Sequence, residues 1–430
     1  MDRAPKAVHG NRTPSFSVFM RFSSLHREER FLLANINTFM LGTYLSNVFV
    51  SLFLWETTSS FRVLAYFQLM SAVLIAAAFV LFGFAATRIY PETVYRIGIL
   101  AFIAFYLLLL LLGEQAGRYV LLLGSLNGVA AGLFYTGNNI LTYDVVQGIN
   151  RISFMTLNNL LTTISSVIGP AMAGMVFFLV RGKMGFYTLF TLSVAVIAAS
   201  YVTSYGIRGW SRMENFRFSR TLSVFITNRH YRLLTLNDVI SGFSSTVTAI
   251  SLVALVYLAS RSAPYVAEFA VITAIVQVLS SVALRTGERK RLPSLAGIGG
   301  VVLVAGSIFL FPPIAFWKVI IYGISSGISS TLINVPYMTS ALDAIDTDED
   351  GRKNRIYYII NREYVLLVAR ASAALAFLLV YAASPSLSTV AALIAGSSGL
   401  NICIFGTLRL FYSRWEGRQP SALADGNRAG

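Results

Sequence analysis

Twelve apolar runs, separated by short polar links, constrain this chain more than any other feature of its sequence. They fall near 31–55, 61–85, 94–113, 119–141, 156–180, 185–207, 233–258, 265–284, 293–312, 315–340, 356–382 and 388–411. A helix of about 20 apolar residues spans the hydrocarbon core of a bilayer, because each residue rises about 1.5 Å. Twelve transmembrane helices in an all-α integral membrane protein follow. Composition agrees: 56% hydrophobic and 12% charged residues is too apolar for a soluble domain of 430 residues.

The net charge of +15 would suggest nucleic acid in a soluble protein. Here the basic residues sit in links between apolar runs, so no continuous basic face for nucleic acid is expected. Of 34 Lys and Arg, 27 fall in the tails and alternate links on one side, six in the links on the other, and Arg370 remains inside a run. That asymmetry places both termini in the cytoplasm of a cell membrane, plasma or inner. The densest link, 208–232, carries Arg208, Arg212, Arg217, Arg220, Arg229 and Arg232 against one acid, Glu214, and divides the runs into two sixes. The first thirty residues lack a signal-type apolar core, so they read as a retained tail. One cysteine, Cys403, and no histidine pair at ligand spacing leave no expectation of an internal disulfide, a metal or a cofactor.

The two sixes echo one another. Asn37 and Gly42 recur as Asn237 and Gly242, Asp144 as Asp343, and Asn150-Arg151-Ile152 as Asn354-Arg355-Ile356, at offsets of 200, 199 and 204. Ordered pairs at a nearly constant offset argue for duplicated halves related by an axis along the membrane normal. The expected organisation is a tail at 1–30, a six-helix half at 31–207, the linker at 208–232, a second half at 233–411 and a tail at 412–430.

This layout resembles the major facilitator superfamily (MFS) of secondary transporters over residues 25–415. The family signature between helices 2 and 3, Gly-x-Leu-Ala-Asp-Arg-x-Gly-Arg-Lys, is echoed by Gly83, Ala86 and Arg88, with Thr87 at the acid. A second copy has Ala283, Arg285 and Gly287 followed by Arg289-Lys290-Arg291, with Leu284 at the acid. The resemblance implies gating roles for Arg88 and Arg285 and removes the acid that helps lock the cytoplasmic side. Ser165 to Gly174 in helix 5 is similar to an antiporter motif, which makes Gly169, Pro170 and Gly174 a hinge; an ordinary small-residue packing face is the competing reading. Exporters of the family tend to carry an arginine in helix 4 where this chain has Gly124.

Arg370 is the sharpest single residue, since a charge at bilayer depth costs at least about 2.5 kcal/mol unless a cavity or partner receives it. Glu363, seven residues earlier, shares its helix face. Arg370 is expected to bind an anionic part of a substrate, the alternative being a structural ion pair. The resemblance implies a cavity lined by helices 1, 4, 7 and 10, where Asn37, Tyr135, Asn138, Asn139, Asn237 and Asn334 are candidate substrate contacts; for each asparagine an interhelical hydrogen bond competes. Asp238 and Glu363 are the candidate proton carriers. The run Asp346-Thr347-Asp348-Glu349-Asp350-Gly351 opens like a calcium loop, but Tyr357 stands where the loop needs its bidentate glutamate, so a solvated acidic link is expected.

The expected function is a secondary active transporter, not an enzyme, that moves a small organic solute by alternating access. Export is slightly favoured and protons are the candidate coupling ion. A monomer in the lipid bilayer is expected. The alternatives are a lipid or amphiphile flippase of the same fold and a non-transporting receptor or scaffold.

Overall fold

The computed structural model describes residues 25–85, 89–146, 150–180, 182–207, 223, 225, 226, 228–284, 289–346 and 355–416. The elements in order are α1 (Arg27–Thr58), α2 (Phe61–Ala85), α3 (Pro91–Leu112), α4 (Val120–Val145), α5 (Asn150–Leu179), α6 (Lys183–Thr203), α7 (Arg229–Ser260), α8 (Ala263–Ala283), α9 (Leu292–Ser307), α10 (Phe316–Asp346), α11 (Arg355–Ala383), α12 (Leu387–Leu400) and α13 (Cys403–Glu416). Among the described residues, twelve stretches are long and apolar enough to cross a membrane. α12 and α13 together make the twelfth, broken at Asn401 and Ile402. The break follows Ser397-Ser398-Gly399, weak helix formers that leave carbonyls to be satisfied locally. The Asn401 amide donates to the carbonyls of Ser397 (3.1 Å) and Ser398 (3.3 Å) and to Ser244 Oγ on α7 (3.0 Å).

The two sixes repeat in their contacts. On α4, a side chain at Gly124 or Gly128 would have its Cβ 2.7 and 2.5 Å from the carbonyl oxygens of Phe67 and Ser71, so α4 lies directly on α2. On α10, a Cβ at Gly323 would meet the Phe269 ring at 2.5 Å, and one at Gly327 the Thr273 carbonyl at 2.8 Å, both on α8. The packing recurs at an offset of 199 on one helix and 202 on its partner. At Gly124 no side chain fits, since a Cβ would also meet Met70 Cβ at 3.0 Å. α1 and α7 end alike, Ser59 and Arg261 both in the left-handed region (φ 48° and 54°), each donating its N–H to the carbonyl four residues back at 2.7 Å.

Here the structure corrects the repeat. The equal helix ends set α1 against α7 at an offset of 202, not 200. Two residues turn a helix by about 200°. Accordingly a Cβ at Gly42 would press on Ile197 of α6, whereas one at Gly242 would press on Leu366 and Ala369 of α11. Asn35, bonded to Ser200 and Thr203 of α6, is the true counterpart of Asn237, bonded to Thr407 of α13.

The sixes meet through α2 with α11, α5 with α8, and α1 with α7. Their contacts gather at the end away from the termini. Phe61 packs against Phe377 and Tyr381 with ring centroids 6.4 and 5.6 Å apart, and Tyr257 lies within electrostatic reach of Glu56. One apolar core runs through the whole first six and takes in the last six only in their far halves. The second core, around Leu234, Ala296, Ile333 and Phe411, belongs to the last six helices alone and lies towards the termini. Among the described residues the two sixes are thus sealed at the far end and part towards the termini.

Candidate functional site

The last six helices bring three polar side chains together in an apolar setting. Asp238 on α7 is 3% exposed. Its Oδ1 accepts from Arg362 Nε on α11 at 3.0 Å and from the hydroxyl of Tyr337 on α10. Arg362 Nε also reaches the Tyr337 hydroxyl at 2.8 Å, and its guanidinium lies 5.1 Å from that ring's centroid. All three lie within about 10–14 Å of the termini-side ends of their helices, counted at the helical rise. Arg362 is the correction here. The sequence places it within the run 356–382 yet counts it among the 27 basic residues of tails and links; the span Ile360–Ala383 holds it inside. The basic asymmetry survives its removal.

Glu363 and Arg370 lie on the same α11 and face elsewhere. Among the described residues neither forms a hydrogen bond or an ion pair, and both are half-buried. Arg370, Glu363 and Tyr44 of α1 all come within electrostatic reach of Tyr135 on α4. Tyr135 is 41% exposed although groups on α1 and α11 lie within its reach, so it borders an opening between the sixes. So α1 and α4 of one six face α11 of the other across the opening, with two tyrosines on one wall and two opposite charges on the other. Glu363 is also within reach of Asp238, which links the opening to the buried pair.

The asparagines divide by what they bond. Asn37 donates to the Leu33 carbonyl (2.8 Å) and Asn158 Oδ1 (3.1 Å), and accepts from Thr162 (3.2 Å), tying α1 to α5. Asn237 is fully buried; its Oδ1 takes the Thr407 hydroxyl and its Nδ2 has no partner. Asn138 keeps a buried Oδ1 without a partner, beside Gly137, which packs on Tyr95. Asn139 and Asn334 are exposed, Asn334 reaching only Ser330 at 3.4 Å. Gly169 lets α5 close on α1, where a Cβ would come 2.7 Å from the Tyr44 carbonyl carbon; Pro170 is buried; Gly174 faces Ala267 of α8 at 3.1 Å, on the seam between the sixes. Arg88, Arg285 and the acidic run 347–350 lie outside the described residues. Sequence reasoning missed Arg362, Tyr337, Tyr44 and Asn158. Arg362 alone left a signal, as the middle of Asn361-Arg362-Glu363 at the head of an apolar run.

Comparison with known proteins places this geometry. A family profile described as Major Facilitator Superfamily matches residues 32–362. An uncharacterized Bacillus subtilis (strain 168) protein, YqgE, is 28% identical over 353 residues, 82% of this chain and 82% of that protein. Among solved structures, the nucleoside transporter NupG superposes with a TM-score of 0.67 at 11% identity, covering 91% of this chain and 100% of its own. The E. coli fucose:proton symporter FucP superposes at 0.58 and 13% identity, covering 92% and 99%. Such identities carry the fold alone; the family profile is what supports a transporter rather than an enzyme. With the profile spanning most of its length and twelve candidate spans in the family's arrangement, this multi-pass membrane protein belongs to the Major Facilitator Superfamily.

Proposed function

We propose that the protein moves a small polar organic solute by alternating access, export being the favoured direction, and that a proton taken up at Asp238 drives it. The observation that carries this reading is the juxtaposition on α7, α10 and α11: a buried acid held by Arg362 and Tyr337, next to an opening where Arg370 and Glu363 await partners. Charges left unpaired at bilayer depth are costly, and a scaffold gains nothing by keeping them. Protonation of Asp238 would release Arg362 and loosen α7 from α11, the helix that also carries Arg370. Substrate contacts fall to Arg370, Tyr135 and Tyr44, with Asn138 and Asn139 beside Tyr135 on α4 and Asn334 on α10. Asn37 and Asn237, which hold helices together, act as positioning residues.

The separation of the sixes towards the termini supports an inward-facing state, with both tails and the 208–232 linker in the cytoplasm, boundaries at 31–207 and 233–411, and a monomer as the working unit. Gly169, Pro170 and Gly174 supply the flexing seam on α5 against α1 and α8. Arg88 and Arg285 belong to the gate on the tail side by family likeness. Solute-dependent thermal stabilisation of the purified protein across a chemical library tests the site. A stabilising solute should lose its effect in Arg370→Ala. If instead Arg370→Ala folds poorly and Arg370→Ala with Glu363→Ala regains stability, Arg370 serves a structural ion pair and the binding role is wrong.

A further inference from the structure

The charges around the opening carry the argument from a solute to its chemical class. Asp238 and Arg362 neutralise one another. That leaves Glu363 and Arg370, opposite in sign, half-buried and without a partner among the described residues. Seven residues separate them, which is two helical turns on one face, so both look into the same space at depths about 10 Å apart. The side chains of a helix lean towards its N-terminus, which brings the Arg370 guanidinium towards Glu363; even so they form no ion pair. Tyr135 on the facing wall is within electrostatic reach of both. A purely anionic solute would satisfy Arg370 and leave its charge beside Glu363, with Asp238 behind it. A cation would do the reverse. An uncharged solute would answer neither.

We infer that the site takes a zwitterion, an amino acid or short peptide, with its anionic group on Arg370, its cationic group on Glu363, and its body between the rings of Tyr44 and Tyr135. The carboxylate suits the planar fork of Arg370, and an ammonium suits the carboxylate of Glu363. The inference rests on the transport reading above and assigns its substrate class.

The test uses the full-length purified protein and probes matched in body but not in charge: phenylalanine and alanyl-phenylalanine as zwitterions, N-acetylphenylalanine as the anion, phenylalanine amide as the cation. Thermal denaturation is followed with each at millimolar concentration. The zwitterions should raise the melting temperature and the charge-blocked forms should not. In Glu363→Gln the N-acetyl anion should stabilise as well as its parent; in Arg370→Gln the amide should. Equal stabilisation of the wild type by the N-acetyl anion and its parent would overturn the zwitterion assignment while leaving transport in place. Failure of every charge class, with uptake by proteoliposomes absent for all four probes, would instead count against the solute site itself.

Discussion

The two sixes share a skeleton and differ in chemistry at one depth. At offsets of 202 on α1 and α7, 199 on α4 and α10 and 204 on α5 and α11, the positions matching Asp238, Tyr337 and Arg362 are Ile36, Asn138 and Asn158. In the first six Ile36 is buried and apolar, Asn158 turns to Asn37 instead, and Asn138 Oδ1 is left unbonded. In the last six the same positions form an ion pair capped by a tyrosine. Duplication preserved the packing of α4 on α2 as α10 on α8 down to the glycine that meets a backbone carbonyl. Packing and charge have therefore parted company: both sixes are built to hold helices, and one also carries a buried ion pair.

The sharpest way to break this comparison is to cut the corresponding pairs. Arg362→Ala strands Asp238 in an apolar site, and removing one partner of a buried pair costs about 3–5 kcal/mol. Asn158→Ala in the first six removes one neutral hydrogen bond, about 1 kcal/mol. Thermal denaturation should show a far larger fall for Arg362→Ala, with partial recovery in Arg362→Leu combined with Asp238→Leu. Equal falls would mean the charge pair contributes no more than its neutral counterpart.

Packing should behave in the opposite, symmetric way. Gly128→Ala and Gly327→Ala each put a Cβ against a backbone carbonyl, at 2.5 and 2.8 Å, and overpacking of this kind costs about 1–3 kcal/mol. Both should lower the melting temperature by similar amounts. A large loss in one and none in the other would show that the repeated contact is not equivalent.

The smallest effect is expected from the register itself. If 202 is the structural offset, Asn35→Ala and Asn237→Ala each free the sixth helix of their own half, at about 1 kcal/mol for each hydrogen bond lost, of which Asn35 makes more. Under an offset of 200, Asn37→Ala would be the match. Denaturation midpoints of the three variants, with limited proteolysis to show which helices loosen, decide between them.

How much of this was legible beforehand follows from what each signal depends on. Span number and fold class rest on run length, and a run of apolar residues needs no neighbour to be read. The internal repeat was visible, but its register on α1 and α7 was not, because Asn37 and Gly42 match Asn237 and Gly242 by spacing while only contacts with α6, α11 and α13 reveal the two-residue slip. Arg370 stood out as a charge amid apolar residues. Arg362 did not, since Arg352, Lys353 and Arg355 just before it make it look like the end of a basic link. Its partner Asp238 lies 124 residues away, beyond any local pattern.

The central claim, that the charged cluster of the last six helices couples a proton to solute movement, is tested most directly by comparing two modes of transport in proteoliposomes. Asp238→Asn should abolish accumulation driven by an imposed proton gradient while sparing solute exchange across the membrane, and Asn158→Ala should spare both. Wild-type accumulation that is indifferent to collapse of the gradient would contradict the account.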